Sequence, residues 1–233
     1  MDFSWENFYS QFITKGGYKT ALQGLRATIQ IAVIGLIIGI VLGTLIALIK
    51  VMPKYKILPR ILSAICDIYV GFFRGTPMVV QLLLGYYVLL PALGIASDAI
   101  VVAIIIFGLN SGAYVSEIMR AGIQSVDGGQ LEAGRAVGLS FGTTMLKIVI
   151  PQAVKNILPT LGNEFIALIK ETSVVSFVGA ADLYVAFNYI GSNSYEFMIP
   201  YLVMALIYIV LVLIISLGIK IMERSLRKSD RRN

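Results

Sequence analysis

Long apolar runs alternate with short polar segments along this chain of 233 residues. Five of the runs reach or exceed the ~20 residues with which a helix crosses the hydrocarbon core of a bilayer. They predict membrane spans at about 23–49, 61–90, 99–122, 156–180 and 199–223. The pattern therefore predicts an all-α integral membrane protein, with five transmembrane helices in a domain at residues 23–223.

Polar segments flank and divide this domain. Residues 1–22 alternate aromatic and polar side chains, which is typical of a helix lying in the membrane interface, and a disordered terminus is the alternative. A polar loop covers residues 123–155, and residues 224–233 form a basic tail. Within the first span, Gly35, Gly39 and Gly43 recur at every fourth position, which predicts a smooth face for close helix packing.

Composition supports the membrane assignment. Hydrophobic residues make up 58% of the chain, against roughly 45 to 50% in soluble domains, and the mean hydropathy is +0.85. In a soluble protein the net charge of +6 would favour a nucleic-acid partner. Here the basic residues lie at the ends of apolar runs, so nucleic acid is excluded as a partner and the lipid bilayer is the expected environment.

The distribution of basic residues predicts the topology. The loop after the first span, the central segment and the tail hold 14 of the 19 basic residues, whereas Pro91–Asp98 and Ala181–Met198 hold none. Basic loops stay on the cytoplasmic side of a membrane. We therefore expect the N-terminus outside and the C-terminus inside.

The sequence lacks the residues needed for metal binding, disulfide formation and catalysis. The chain has one cysteine, Cys66, and no histidine, so it offers no Cys/His metal site and no internal disulfide, and a buried thiol is expected. It has no phosphate-binding loop of the G-x-x-x-x-G-K-[ST] type and no catalytic constellation. The chain is not predicted to be an enzyme, and any ATPase that drives it must be a separate polypeptide.

Charged residues interrupt the second span. Arg74 lies roughly 20 Å from the start of that run, near the bilayer midplane, where a charge needs a cavity or a partner. Thr76 and Pro77 then have the pattern of a helix start, with the threonine as cap and the proline at the first helical position. Such a broken helix is a natural site for a substrate carboxylate. The alternative is an ion pair of Arg74 with Asp67 or a glutamate that locks the bundle.

Two other spans carry charged residues. Glu117 and Arg120 lie three residues apart at the end of the third span, which predicts an ion pair. In the fourth span, Glu164 follows Asn163 and has no basic residue three or four positions away. A carboxylate near the bilayer centre costs ~2.5 kcal/mol or more. Glu164 therefore needs a partner from elsewhere, and Arg74 is one candidate.

The central polar segment predicts two short helices. Good helix formers run from Gln130 to Val137, and Gly138 follows them as a helix terminator. Ser140 can cap a second helix that ends before Pro151. The two helices would form a knob that another protein could bind, and a solvated loop is the alternative.

These residues also have a recognisable spacing. Glu132-Ala133-Gly134, then Gly138, then Ile148, Ile150 and Pro151 resemble the E-A-A signature of permease subunits of binding-protein-dependent ABC importers. Gly134 replaces the second alanine and Ile150 replaces a leucine. Two further stretches resemble the polar amino acid branch, which includes histidine, glutamine and arginine permeases: Phe73–Pro77 and Leu158–Ser173.

The resemblance implies a function and an assembly. It implies the transmembrane subunit of an amino acid importer in a prokaryotic cytoplasmic membrane, paired with a second copy or a paralogous permease. Two ATPase subunits would bind ATP and Mg, and an extracytoplasmic binding protein would deliver the amino acid. The coupling helix and its turn would dock on the ATPase through Glu132, Ala133, Gly134, Gly138, Leu139 and Ser140.

The resemblance also implies that the Glu164 segment lines the pathway. A carboxylate there favours a cationic cargo such as arginine, lysine, ornithine or histidine, while Arg74 and the Thr76 helix start hold its α-carboxylate. Alternatively, Glu164 pairs with Arg74 or with Lys170 of the partner subunit. The candidate substrate-binding residues are Glu164, Arg74, Thr76, Asn163 and Asp67. An ion-coupled secondary transporter or a channel subunit is the alternative function, although five spans do not divide into two equal repeats.

Overall fold

The computed structural model describes residues 5–52, 55 and 57–230, and the described residues form helices and no strands. Residues 1–4 of the N-terminal segment and 231–233 of the basic tail lie outside this range. In chain order the α-helices are α1 (Trp5–Tyr9), α2 (Gly17–Val51), α3 (Ile57–Gly75), α4 (Met78–Leu84), α5 (Leu90–Ala92), α6 (Ala99–Gln124), α7 (Gly128–Ala136), α8 (Phe141–Thr144), α9 (Ile150–Glu171), α10 (Leu183–Ser194) and α11 (Met198–Asp230). Wider π turns cover Ser10–Thr14, Gly85–Leu89 and Met145–Val149, and a 3-10 helix covers Thr172–Val178.

Three of the described helices, α2, α6 and α11, are long and apolar enough to cross a membrane. Two bent helix pairs raise the number to five if each pair counts as one span. In the first pair, α3 meets the helical segment Met78–Ala92 at 110°, and in the second, the segment Phe141–Val178 meets α10 at 57°. The prediction of an all-helical membrane protein is confirmed, and the predicted interruption of the second span is a sharp bend.

The core lies where α2 packs along α6. Gly35, Gly39 and Gly43 are all buried in this contact, as their spacing predicts. A Cβ atom on Gly39 would lie 2.5 Å from Ser111 Oγ, and one on Gly43 would lie 2.7 Å from Val115 Cβ. Because a Cβ atom at Gly39 or Gly43 would overlap these atoms, the two glycines set the close approach of the helices.

Two helices extend beyond their predicted ends. The helix that carries the first predicted span begins at Gly17, earlier than residue 23, directly after Gly16, whose φ of 76° separates it from the N-terminal segment. The helix that should end before Pro151 instead continues, because Pro151 occupies the first turn of α9. Proline is tolerated in the first turn of a helix, because the N–H that it lacks would have no partner within the helix there. The π turn at Met145–Val149 accommodates the shift in backbone hydrogen bonding before Pro151.

The N-terminal segment packs partly on the protein. Phe8 is buried, its ring lies 5.1 Å from that of Phe12, and Phe12 lies 6.2 Å from Phe187 of α10. Trp5 and Tyr9 remain exposed. The prediction that all these rings lie at the membrane interface therefore needs correction, since one side of the segment covers the protein core.

The segment Ala181–Met198, predicted as a loop, contains the helix α10. Asp182 caps it, with Oδ1 accepting a hydrogen bond from the N–H of Val185 at 2.9 Å. Leu183, Phe187 and Ile190 are buried against neighbouring elements. At 12 residues α10 is too short to give a membrane-length apolar run, which is why the pattern missed it.

Candidate functional site

The bend between α3 and α4 is stabilised differently from the sequence prediction. Thr76 does not cap α4: its hydroxyl donates back to the carbonyl oxygen of Phe72 at 2.8 Å, which closes the end of α3. Pro77 occupies the cap position, and α4 begins one residue later at Met78. The predicted helix start is therefore present but shifted by one residue.

Two buried amide side chains bind the backbone at this bend. The Nε2 group of Gln81 lies 2.8 Å from the carbonyl oxygen of Phe73 and 2.9 Å from both the carbonyl oxygen and the hydroxyl of Thr76. Asn110 of α6 donates to the Gln81 carbonyl at 2.9 Å and to Phe73 O at 3.3 Å. Neither residue was among the predicted site residues, although uncharged amides within apolar runs are a signal for such a network.

Arg74 lies at the edge of a cleft. Its guanidinium carbon is 5.5 Å from the centre of the Tyr114 ring, a cation–π contact. The two residues line a cleft of about 380 Å³ together with Glu117, Asn156 and Thr160 on α6 and α9. The alternative pair of Arg74 with Asp67 is not among the ion pairs of the described residues.

A charged network joins three helices beside this cleft. The predicted pair of Glu117 and Arg120 is confirmed, with the Arg120 Nε donating to Glu117 Oε2 at 3.2 Å. Lys50 Nζ adds two ion pairs, at 2.9 Å to Glu117 Oε1 and 3.0 Å to Asp67 Oδ1. Asp67, a candidate substrate residue, is thus paired with Lys50, a basic residue at the end of the first span that was not predicted to pair with it.

Glu164 is partly buried in the second half of α9 and faces α6. Its Oε1 accepts a hydrogen bond from the hydroxyl of Ser111 at 3.0 Å. Among the described residues, the ion pairs do not include Glu164, so the alternative pairing with Arg74 is not formed within this chain. Asn163 beside it is exposed. The carboxylate has a hydroxyl partner and no cationic one in the described part of the chain.

The first of the two helices predicted for the central segment forms as the short helix α7, and the second begins as α8 and continues through the π turn into α9. The helix α7 begins at Gly128 rather than Gln130, because Asp127 caps it with Oδ1 accepting from the N–H of Gly129 at 2.8 Å. It ends as predicted: Gly138 has a φ of +84°, and the N–H of Leu139 bonds to Gly134 O at 3.0 Å. Ser140 caps α8 as predicted, accepting from the N–H of Thr143 at 3.2 Å.

Gly134 explains the compactness of this knob. It is buried against α8, and a Cβ atom there would overlap the side chain of Thr144. Glu132, Ala133 and Leu139 remain exposed. The glycine that replaces the second alanine of the signature therefore lets α7 pack tightly on α8, while the neighbouring residues keep a free surface.

Comparison with known proteins decides the family. Residues 35–228 match the family model of the binding-protein-dependent transport system inner membrane component. The chain belongs to this family. It is thus an integral inner membrane protein, the permease subunit of an ABC transporter, which is not itself catalytic because ATP is bound by a partner ATPase subunit. The family also implies a binding protein as a partner.

Similar proteins narrow the class of cargo. The permease is 41% identical to the arginine transport system permease protein ArtQ of Bacillus subtilis (strain 168), covering 90% of this chain and 93% of that one. It is 40% identical to a putative glutamine transport system permease protein GlnP of Rickettsia bellii (strain RML369-C), covering 88% and 92%. A crystal structure of an amino acid ABC transporter with histidines aligns with a TM-score of 0.82 at 40% identity, covering 92% and 98%. The permease therefore belongs to an amino acid importer, and its relatives differ in the amino acid named.

Proposed function

We propose that this permease carries cationic amino acids into the cell and that Glu164 receives their side-chain charge. The observation that carries the proposal is the environment of that carboxylate. It lies about two thirds of the way along α9, is partly withdrawn from solvent, and has the Ser111 hydroxyl as its partner at 3.0 Å.

A hydroxyl does not neutralise a carboxylate. A charged group at membrane depth is costly unless a counter-charge or a water-filled cavity offsets it, and such residues commonly mark a transport pathway. A guanidinium or ammonium group of the cargo would supply that counter-charge. Arginine, lysine and ornithine carry such a group, histidine becomes cationic when its imidazole is protonated, and glutamine has no cationic side chain.

The other end of the cargo is an α-carboxylate, and Arg74 is the proposed partner for it. Arg74 is held over the Tyr114 ring at 5.5 Å rather than in one of the ion pairs of the described residues. Its five N–H donors suit a carboxylate. The exposed amide of Asn163 and the bend at Thr76 complete the proposed site, whereas Asp67 serves the network around Lys50.

The proposed assembly has two permease subunits, the second being a copy of this chain or a paralogue. Two ATPase subunits dock on the exposed face of α7 and its turn, at Glu132, Ala133, Gly138, Leu139 and Ser140, and Gly134 is buried beneath that face. This surface faces the cytoplasm together with the basic tail, and the binding protein docks on the opposite side. Support comes from the distribution of basic residues and from the compact knob that α7 and α8 form.

The test is uptake into proteoliposomes that contain the purified complex, with the binding protein and ATP supplied. Glu164→Gln removes the charge and keeps the shape. Charge-assisted hydrogen bonds contribute ~1.5 to 3 kcal/mol, so arginine uptake should fall roughly ten- to a hundredfold. Glu6→Gln is the control, since it makes the same change at an exposed carboxylate on α1, a different helix from that of Glu164. It should leave arginine uptake within about twofold of the unmutated complex.

Two outcomes would contradict the proposal. Undiminished arginine uptake by the Glu164→Gln complex would remove this carboxylate from the site. Glutamine uptake by an unmutated complex that does not carry arginine would assign the importer to neutral amino acids instead.

A further inference from the structure

We propose that Gln81 is a positioning residue for the cargo carboxylate, acting through the backbone of the bend between α3 and α4. The inference rests on the proposed function and extends it to a residue that contacts the bend rather than the cargo. Gln81 is only 3% exposed and lies one turn into α4.

The bend leaves backbone carbonyl groups without helical partners. Helix α3 ends at Gly75, Pro77 has no N–H to donate, and the chain turns by 110°. The carbonyl oxygens of Phe73 and Thr76 accept instead from Gln81 Nε2, at 2.8 and 2.9 Å. A buried carbonyl without a donor is costly in a membrane, so this amide fixes the conformation of the residues between the two helices.

The same amide is itself held from α6. Gln81 Oε1 accepts from Asn110 Nδ2 at 2.9 Å, and Asn110 is 5% exposed. The next residue, Ser111, donates to Glu164 at 3.0 Å. Two neighbouring positions on one rigid helix therefore hold both ends of the proposed site: Asn110 holds the bend that carries Arg74, and Ser111 holds Glu164.

This arrangement gives Gln81 a specific effect on affinity. The bend presents Arg74 and Thr76, which contact the part common to all amino acids. Loss of the Gln81 amide should therefore weaken the binding of every amino acid by the same factor. Loss of the Glu164 charge should weaken the binding of cationic amino acids alone.

The experiment measures equilibrium binding of labelled arginine and labelled glutamine to the purified permease–ATPase complex in detergent. Gln81→Met keeps the size of the side chain and removes both the donor and the acceptor. We expect it to weaken the affinity for each bound amino acid at least tenfold, in a complex that still assembles. Ser116→Ala is the matched control, because it removes a buried hydrogen bond that stays within α6, to Ala113 O at 2.7 Å.

A double-mutant cycle tests the route through α6. Asn110→Leu should weaken amino acid binding by itself. The double variant Gln81→Met/Asn110→Leu should weaken the affinity by much less than the product of the two single effects, because both substitutions break the same network. Gln81→Asn keeps the amide on a shorter stem that does not reach Phe73 O, and it provides a milder variant if Gln81→Met does not assemble.

The outcomes separate this inference from the proposed function. If the unmutated complex binds glutamine but not arginine, the cationic preference fails, and the Gln81 comparison proceeds with glutamine. Unchanged affinity in assembled Gln81 variants would overturn the positioning role. Loss of assembly in both Gln81 variants would overturn it as well, since the amide would then be required for folding alone.

Discussion

Gly138 has a φ of +84° at the end of α7, in a region of backbone conformation that side chains with a Cβ rarely adopt. A Cβ atom built there meets nothing within 4 Å, so the position tolerates added volume but not the backbone geometry of a larger residue. The turn it forms sets the angle between α7 and α8. A single residue thereby determines the shape of the proposed ATPase-docking surface.

We predict that Gly138→Val uncouples ATP hydrolysis from uptake. A β-branched residue at positive φ costs about 1 to 3 kcal/mol, and the turn can relieve this strain by shifting α7. The measurement compares ATPase activity stimulated by the loaded binding protein with uptake in the same proteoliposomes. The two rates should no longer change together. The control is Gly142→Val, at a glycine with ordinary φ and the same open space. Stimulation equal to that of the unmutated complex would contradict this role of Gly138.

Asp67 and Glu117 share Lys50 but differ in exposure. The Glu117 side chain is 19% exposed and the Asp67 side chain is 55% exposed. Water screens an exposed pair, and such pairs stabilise proteins by roughly 0 to 1 kcal/mol. Removing one partner of a more buried pair costs more, because the remaining charge is left without its counter-charge.

We therefore predict that Glu117→Gln lowers the melting temperature of the detergent-purified complex more than Asp67→Asn does. Asp67→Asn should also leave arginine affinity within about twofold, since Asp67 is paired with Lys50 rather than lining the cleft. Thermal unfolding and equilibrium binding on the same preparations measure both effects. A tenfold loss of affinity in Asp67→Asn would return this residue to the cargo site.

At the scale of elements, the contact between α2 and α6 organises the subunit. The glycine face of α2 brings the two backbones close, and Ser111, which orients Glu164, lies directly opposite Gly39. Lys50 near the end of α2 then reaches Asp67 on α3 and Glu117 on α6. The same helix pair thus supports the proposed cargo site and the charged network beside the cleft.

We predict that Gly43→Val separates these helices and lowers the melting temperature of the complex. The added Cβ would lie 2.7 Å from Val115 Cβ, and overpacking of this kind costs about 1 to 3 kcal/mol. Gly218→Val on α11 is the matched control, since a Cβ there meets nothing within 4 Å. Equal melting temperatures for the two variants would show that the close packing of α2 on α6 contributes nothing measurable.

Local rules explain which elements the sequence could predict. Gly138 and Ser140 end and start helices through their own backbone and side chain, so both predictions are confirmed. The helix end predicted before Pro151 is wrong, because a π turn beside Pro151 accommodates a proline in the next helical turn. The contact of Gln81 with Asn110 joins residues 29 positions apart, and such spacing contains no periodic signal.

At the scale of the whole molecule, the apolar surface indicates the surroundings. On α11, the side chains of Leu213, Ile214 and Leu217 are each 60% exposed or more, and α3 exposes Ile57 and Ile68 at 74%. Soluble monomeric proteins rarely expose continuous apolar faces of this size to water. Lipid and the second permease subunit are the partners that cover them in the proposed assembly.

The orientation in the membrane is the last prediction, and it joins the charge pattern to the geometry. Helix α9 has 22 residues and is about 33 Å long, which matches the thickness of the hydrocarbon core. Helix α7 precedes the start of α9, and helix α10 follows the end of α9. Helices α7 and α10 therefore lie towards opposite sides of the membrane. Because basic residues surround α7 and none lies between Ala181 and Met198, we expect α7 inside and α10 outside.

Cysteine labelling in intact cells tests this orientation. Cys66 is buried and is the only cysteine of the chain, so Cys66→Ser gives a clean background. In that background, Asn193→Cys places a thiol on the exposed side of α10, and Gly128→Cys places one at the start of α7, where a side chain meets nothing within 4 Å. An impermeant maleimide should label the first variant in intact cells and the second only after the membrane is opened. The opposite result would invert the subunit in the membrane and move the proposed ATPase-docking surface to the outside, where no ATP is available to drive transport.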